Sequence, residues 1–135
     1  MSETASNELL PEFAGFFEKA AEGHLAFPCC RGCQKFHWYP MPRCPHCHGR
    51  GIEWRCVSGR GEIVSFTRVM HPFDKSRAGN LPYVVALVKF ADAPGINLVT
   101  NIVDGQDGGT RIGQAVEPAF RTDVSGRPVV EFRAV

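Results

Sequence analysis

Surplus charge is the first thing this chain lacks. Its 135 residues carry 15 Lys and Arg against 14 Asp and Glu, for a formal net charge of +1. Nucleic-acid binding draws on a clear excess of cations to neutralise phosphates, so this balance removes the usual electrostatic ground for such a partner. No apolar run approaches the ~18 residues that a membrane helix needs. Residues 1–24 hold no basic stretch followed by an apolar one, as a secretory leader would. The expectation is a cytoplasmic protein without a membrane partner, in a compartment where thiols stay reduced. Catalytic signatures are missing as well. Gly59-Arg60-Gly61 opens like a dinucleotide-binding turn, but Val64 stands where the third glycine belongs, and a strand pattern follows instead of a helix. There is no Ser-His-Asp order, no carboxylate pair and no lysine in a nucleophile setting. Among five scattered histidines, His71 falls in a long loop, where a solvated side chain is a commoner reading than a catalytic one.

What the chain does have is cysteine in a pattern. Cys30-Arg31-Gly32-Cys33 and Cys44-Pro45-His46-Cys47 are two Cys-x-x-Cys pairs separated by ten residues. That spacing places four thiolates on two tight turns able to close around one tetrahedral Zn²⁺. A redox pair of the thioredoxin type would use one such motif beside a βαβ pattern, which is not present. Iron suits the same four sulfurs, so the ligand set is better specified than the metal. With Cys30, Cys33, Cys44 and Cys47 all bound, no coordination position stays open, and the ion holds the chain together instead of activating water. Cys29 breaks the two-residue knuckle spacing, His46 and His48 are surplus to four sulfurs, and Cys56, inside a strand pattern, reads as a small buried apolar residue.

The remaining chain sorts into three parts: a tail and amphipathic helix over 1–23, a ribbon over 24–57 and a β domain over 58–135. From Glu8 to Glu22, Leu9, Phe13, Phe16 and Ala20 recur at a helical period with Leu10 and Phe17 alongside, Pro11 in the first turn and Gly23 at the stop. Leu9, Phe13, Phe16 and Phe17 form a large apolar load for so short a helix; they either pack back on the ribbon or dock in a groove of a partner protein. In the ribbon, Phe36–Tyr39 is predicted as a strand between the knuckles and Ile52–Cys56 as a strand leaving the second. Trp38, Tyr39 and Trp54 read as core more readily than as a stacking platform for bases. Residues 1–22 hold five Glu against Lys19, whereas residues 23–57 hold five basic residues against Glu53. Either the ribbon's cations are simply solvated, or they meet an anionic ligand or partner. Beyond Gly61 the pattern turns to five short β runs, Glu62–Met70, Tyr83–Phe90, Ile96–Val103, Ala115–Phe120 and Val129–Phe132, divided by Gly, Pro, Asp and Asn. Five strands without an intervening helix predict a small barrel of the OB type.

The order of these features resembles a known family. An apolar helix is followed by the two cysteine pairs, by Ser58-Gly59-Arg60-Gly61-Glu62-Ile63-Val64, by Pro82-Tyr83-Val84-Val85-Ala86 and by Arg111-Ile112-Gly113-Gln114. This is similar to the family in which a rubredoxin-like zinc ribbon is joined to an acyl-CoA-associated OB-fold, first catalogued as a domain of unknown function. Gln34 stands where glycine is common after the cysteine pair. The resemblance implies a mainly β protein with an N-terminal helix, a structural Zn²⁺ and a five-stranded OB barrel. It further implies a non-catalytic accessory subunit of a thiolase-fold enzyme (thiolase, acyltransferase or retro-aldolase) in steroid, aromatic or fatty acyl-CoA metabolism. The assembly it implies is a two-fold hetero-oligomer in which a CoA thioester is shared with the partner. On that reading Arg60, Phe66, Phe73, Lys75 and Arg77 are the candidate acyl-CoA contacts, acting by position. The competing class is a single-stranded nucleic-acid-binding OB module, which would need a cationic groove with exposed aromatics; the barrel half has nine basic against eight acidic residues.

Overall fold

The computed structural model describes residues 11–71, 82–103 and 109–135. Contacts within the chain divide it into two units. The first runs to Ser58 and includes Asp92–Ile96 and Phe120–Val129; the second comprises Gly59–Ala91, Asn97–Ala119 and Val130–Val135.

The first unit begins with a 3-10 turn, Pro11–Phe13, which leads into helix α1, Ala14–Ala21. Pro11 cannot donate a backbone bond, and Phe13 at the cap position offers no side-chain acceptor, so regular α geometry starts later than the apolar period suggests. The helix ends in a Schellman motif: His24 N donates to Lys19 O at 2.9 Å and Gly23 N to Ala20 O at 3.0 Å. Gly23 sits at φ +86°, the left-handed conformation that this stop requires. Strand β1, Leu25–Cys30, pairs antiparallel with β2, Ile52–Val57, from Leu25 opposite Val57 to Cys30 opposite Ile52. Every residue of β1 is buried, because β2 lies along one edge and α1 packs on the strand. Phe16 sits against Phe17, Phe27 and Trp38, and Phe13 against Trp38 and Tyr39. At Gly15 the helix comes so close to β2 that a Cβ would run into the Trp54 indole.

The strand predicted over Phe36–Tyr39 does not form. Phe36 makes a single bridge with Cys29, and the chain then leaves the sheet so that Trp38 can enter the aromatic cluster. Cys56 is exposed, which corrects its expected burial. Among the described residues β2 has a partner on one edge only, and its residues stay partly open along the whole strand.

The second unit is built on a closed barrel of five strands: β3 (Gly61–Val69), β4 (Tyr83–Phe90), β5 (Asn97–Ile102), β6 (Ala115–Thr122) and β7 (Pro128–Ala134). The order around the barrel is β3-β4-β5-β7-β6, with β3 closing on β6. β5 and β7 run parallel at Ile102 and Phe132, while β3, β4 and β5 form an antiparallel meander. This is the five-stranded OB topology. Ile63, Val84, Val88, Val116 and Phe132 are fully enclosed and form its core, with the Phe90 and Phe132 rings 5.8 Å apart.

The paired glycines that resemble a nucleotide-binding turn have a structural explanation. Gly59 lies at φ +85°. Gly61 is where β3 meets both neighbours, opposite Phe90 on β4 and Val116 on β6. A Cβ there would overlap Val88, approach the Lys89 carbonyl to 3.0 Å and reach the Phe90 ring at 3.1 Å. The barrel closes at that residue because the residue has no side chain. No helix among the described residues is long and apolar enough to cross a membrane.

Candidate metal centre and barrel face

Two knuckles of nearly identical construction bring the four cysteines together. In the first, Gln34 N donates to Cys30 O at 2.8 Å and Cys30 N donates to Lys35 O at 3.0 Å. In the second, His48 N donates to Cys44 O at 2.9 Å and Cys44 N donates to Gly49 O at 2.8 Å. The residue following each pair must therefore turn left-handed, and Gln34 and His48 do so at φ +64° and +66°. Non-glycine residues pay roughly 1–2 kcal/mol for that conformation, so the departure from glycine at Gln34 keeps the knuckle geometry at a local cost. Within each turn one amide points at sulfur: Gly32 N donates to Cys30 Sγ and His46 N to Cys44 Sγ, both at 3.3 Å. Such donors stabilise thiolate over thiol.

Cys30 Sγ lies 3.6 Å from Cys47 Sγ, and Cys33 Sγ lies 3.7 Å from Cys44 Sγ. All four sulfurs fall within 4.8 Å of one another. A tetrahedron with Zn–S bonds of about 2.3 Å has edges of about 3.8 Å. The cluster therefore fits a zinc ion of structural type, with four protein ligands and no place for water. Amide donation from Cys33 and Gly32 holds the Cys30 thiol below its ordinary value. Burial pushes Cys44 up, but amides of Cys47 and His46 outweigh it and bring the thiol down to about 6. For Cys33 an amide bond from Lys35 lowers the thiol, while burial and the sulfurs of Cys44, Cys30 and Cys47 raise it to about 11. The four crowded thiolates repel one another, and a divalent cation at their centre removes that repulsion.

The neighbouring groups do other things. Burial raises the Cys29 thiol, which points to the Cys30 carbonyl and stays outside the cluster. His46 Nε2 bonds to the Phe36 carbonyl at 3.2 Å and is not a ligand. His37, which sequence reasoning passed over, is 5% exposed with neither ring nitrogen hydrogen-bonded. Burial, then the charge of His46, lowers its pKa. Nothing in the local sequence marks this residue, because the orphaned ring arises from the packing of distant segments.

The residues predicted to dock a partner divide. Phe16 is 7% exposed and packs in the ribbon's own aromatic cluster against Phe27 and Trp38, as in the first of the two alternatives open from the sequence. Phe13 and Phe17 are half-buried, and Leu9 lies outside the described residues. Trp38 and Trp54 are likewise half-buried in the ribbon, while Tyr39 is 60% exposed.

On the barrel, β3, β4 and β5 form a groove of about 340 Å³, lined by Ser65, Phe66, Thr67, Val85, Ala86, Leu87 and Val99. β4 and β5 are the second and third strands of the OB order, whose outer face is where such folds commonly take ligands. Among the described residues, the lining of this groove offers apolar and hydroxyl groups and no cation. Of the predicted acyl-CoA contacts, Phe66 is half-buried in this groove and Arg60 is exposed at the start of β3. Phe73, Lys75 and Arg77 lie outside the described residues.

Comparison with known proteins identifies this architecture. The ChsH2 rubredoxin-like zinc ribbon domain matches residues 17–53, and the ChsH2 C-terminal OB-fold domain matches residues 54–121. The chain belongs to the ChsH2 family. A chain of the solved Ltp2-ChsH2(DUF35) aldolase superposes on this ChsH2-family chain with a TM-score of 0.82 and 28% identity, over 93% of this chain and 96% of that one. A DUF35-family protein of unknown function from Sulfolobus solfataricus shares the fold, with a TM-score of 0.62 and 16% identity over 93% of this chain and 86% of its own. A DUF35 domain-containing scaffold protein from Pyrococcus furiosus is 33% identical over 79 residues, which is 56% of this chain and 47% of the relative. The chain thus spans about half the length of that curated relative.

Proposed function

We propose that this ChsH2-family chain is a zinc-containing accessory subunit that binds a thiolase-fold enzyme and helps form its acyl-CoA site. The observation that carries the reading is the likeness to a chain of the Ltp2-ChsH2(DUF35) aldolase, which extends over nearly the whole of both chains. Two features of the chain support it. The metal cluster is closed by four sulfurs and leaves no open position for chemistry, so chemistry would come from the partner. The groove on β3, β4 and β5 is apolar and uncharged, which suits an acyl group or a protein surface better than a phosphate backbone.

The role is positional. A rigid barrel wall beside the partner's site orients a thioester at little entropic cost, because the barrel is ordered before the ligand arrives. Phe66 would contribute apolar surface, and Arg60 would attract the CoA phosphates together with Lys75 and Arg77. The test is purification of the chain from its native host at natural expression, followed by native mass measurement and identification of every bound polypeptide. A thiolase-fold enzyme in constant ratio is the expected result. Recovery of the chain alone, or with RNA, would overturn the proposal and favour the nucleic-acid reading.

A further inference from the structure

From His24 to Ile52 the chain contains no Asp or Glu, and Arg31, Lys35, Arg43 and Arg50 all stand exposed within that span. None of the four makes an ion pair among the described residues; Lys19, Arg55, Lys89 and Arg133, which do, lie outside this span. The knuckle hydrogen bonds gather the four at the metal end of the ribbon. Cys30 N donates to the Lys35 carbonyl at 3.0 Å, and Arg31 N to the carbonyl of Gly51, next to Arg50, at 2.8 Å. Cys44, next to Arg43, donates to the Gly49 carbonyl at 2.8 Å. The Arg31 side chain lies over Gly51, with its guanidinium nitrogens 3.6 and 3.8 Å from where a Cβ would be. A divalent ion on four thiolates leaves two negative charges, about half of what these cations carry. A surplus of positive charge therefore stays on the surface of this end.

We propose that the metal end of the ribbon is a docking surface for an acidic protein face. On the reading above, which this inference rests on, that face belongs to the enzyme subunit. The local chemistry selects among anions. A phosphate pocket gathers backbone N–H groups into a concave nest, whereas here the knuckle amides of Gly32 and His46 point inward to sulfur. Single-stranded nucleic acid needs aromatic rings interleaved with the cations. Trp38 is engaged with Phe13, Phe16 and Phe27, Trp54 faces Gly15, and the Arg55 guanidinium lies over the Phe36 ring, 5.9 Å from its centre; Tyr39, although 60% exposed, is a single ring that lies against Phe13 and Trp38 and does not alternate with the cations. What remains is a set of long, exposed cationic side chains around the knuckle turns, suited to a broad carboxylate-bearing surface. Exposed charges of this kind act mainly on the rate of encounter.

The test compares the wild-type chain with Arg31→Glu/Arg50→Glu and, as an independent pair, Lys35→Glu/Arg43→Glu. Association with the co-purified enzyme subunit is followed at about 20 mM and about 500 mM NaCl, where the screening length falls from roughly 20 Å to roughly 4 Å. Zinc content confirms that each variant keeps its ribbon. Both pairs should lower the association rate by roughly tenfold or more at low salt, converge on wild type at high salt and leave the dissociation rate nearly unchanged. An enzyme that binds wild type and both variants alike, with the same salt slope, overturns this inference and leaves the accessory role standing. A chain that binds no enzyme overturns both. Salt-dependent binding to an oligouridine that the variants lose, with enzyme association unaltered, would assign the surface to nucleic acid instead.

Discussion

Replacing Cys44 by Ser should unfold the ribbon and spare the barrel. Cys44 is fully buried, its sulfur lies 3.7 Å from that of Cys33, and it accepts the His46 amide. Serine offers an oxygen that stays protonated near neutral pH and makes a poor zinc ligand, so the site loses one of four anionic donors. Structural zinc contributes about 10–16 kcal/mol in small ribbons. A whole domain is stable by only about 5–15 kcal/mol, so the metal term is comparable to everything else holding the ribbon. The ribbon's remaining support is one short helix and a two-stranded sheet, and units of that size rarely fold without a staple. The barrel has its own enclosed core in Ile63, Val84, Val88, Val116 and Phe132. The two parts can be read separately, because both tryptophans of the chain, Trp38 and Trp54, belong to the ribbon unit. Tryptophan emission should shift to that of exposed indole and bound zinc should fall well below one equivalent, while far-ultraviolet circular dichroism keeps the β signal. Cys56→Ser is the control, since that thiol is exposed and outside the cluster. Retention of one equivalent of zinc by the Cys44→Ser protein, with unchanged emission, would refute the ligand assignment.

Two further outcomes follow from packing. Gly61→Ala should destabilise the barrel by about 1–3 kcal/mol, because the added methyl meets the Lys89 carbonyl at 3.0 Å and the Phe90 ring at 3.1 Å. In a unit of this size that lowers the barrel's melting temperature by roughly 4–20 °C; an unchanged melt would show that the closure can relax. His37→Leu should instead stabilise the ribbon by about 1–3 kcal/mol, since it removes a buried ring with two unsatisfied nitrogens. Burial lowers the His37 pKa below the ordinary 6.5, so the unfolded chain takes up the proton first and stability is lost as pH falls from 6.5 toward the folded value. The Leu variant should lose that part of the pH dependence; an equal acid slope in urea titrations would refute the argument.

The parts of this protein that depend on near neighbours are legible in the sequence. The Cys-x-x-Cys spacing specifies a knuckle because both sulfurs come from one turn, and alternation of β-branched residues between glycines marks strands because the pleat repeats every two residues. The observed β4 coincides with the predicted Tyr83–Phe90, and the other barrel strands differ from expectation only at their ends. The helix stop at Gly23 is equally local. Phe16 is ambiguous in sequence for the opposite reason. An apolar period shows that a face must be covered, and not by what; the answer comes from Phe27 and Trp38, which are remote in the chain.

Tertiary structure alone decided the rest. Cys56 has the neighbours of a core residue in sequence, but in the two-stranded sheet its face of β2 is left uncovered and the thiol is exposed. Gly61 looks like any turn glycine until β3 closes on β6 and removes the room for a side chain. His37 becomes an orphan only when the chain folds over both its nitrogens. Arg31, Lys35, Arg43 and Arg50 can be counted in the sequence, but their lack of ion-pair partners among the described residues and their gathering at the metal end depend on knuckle hydrogen bonds between residues up to twenty positions apart. Sequence thus determined which local units this chain makes, through turn geometry and periodicity. Burial and charge pairing are properties of surfaces, and those exist only once the units have packed.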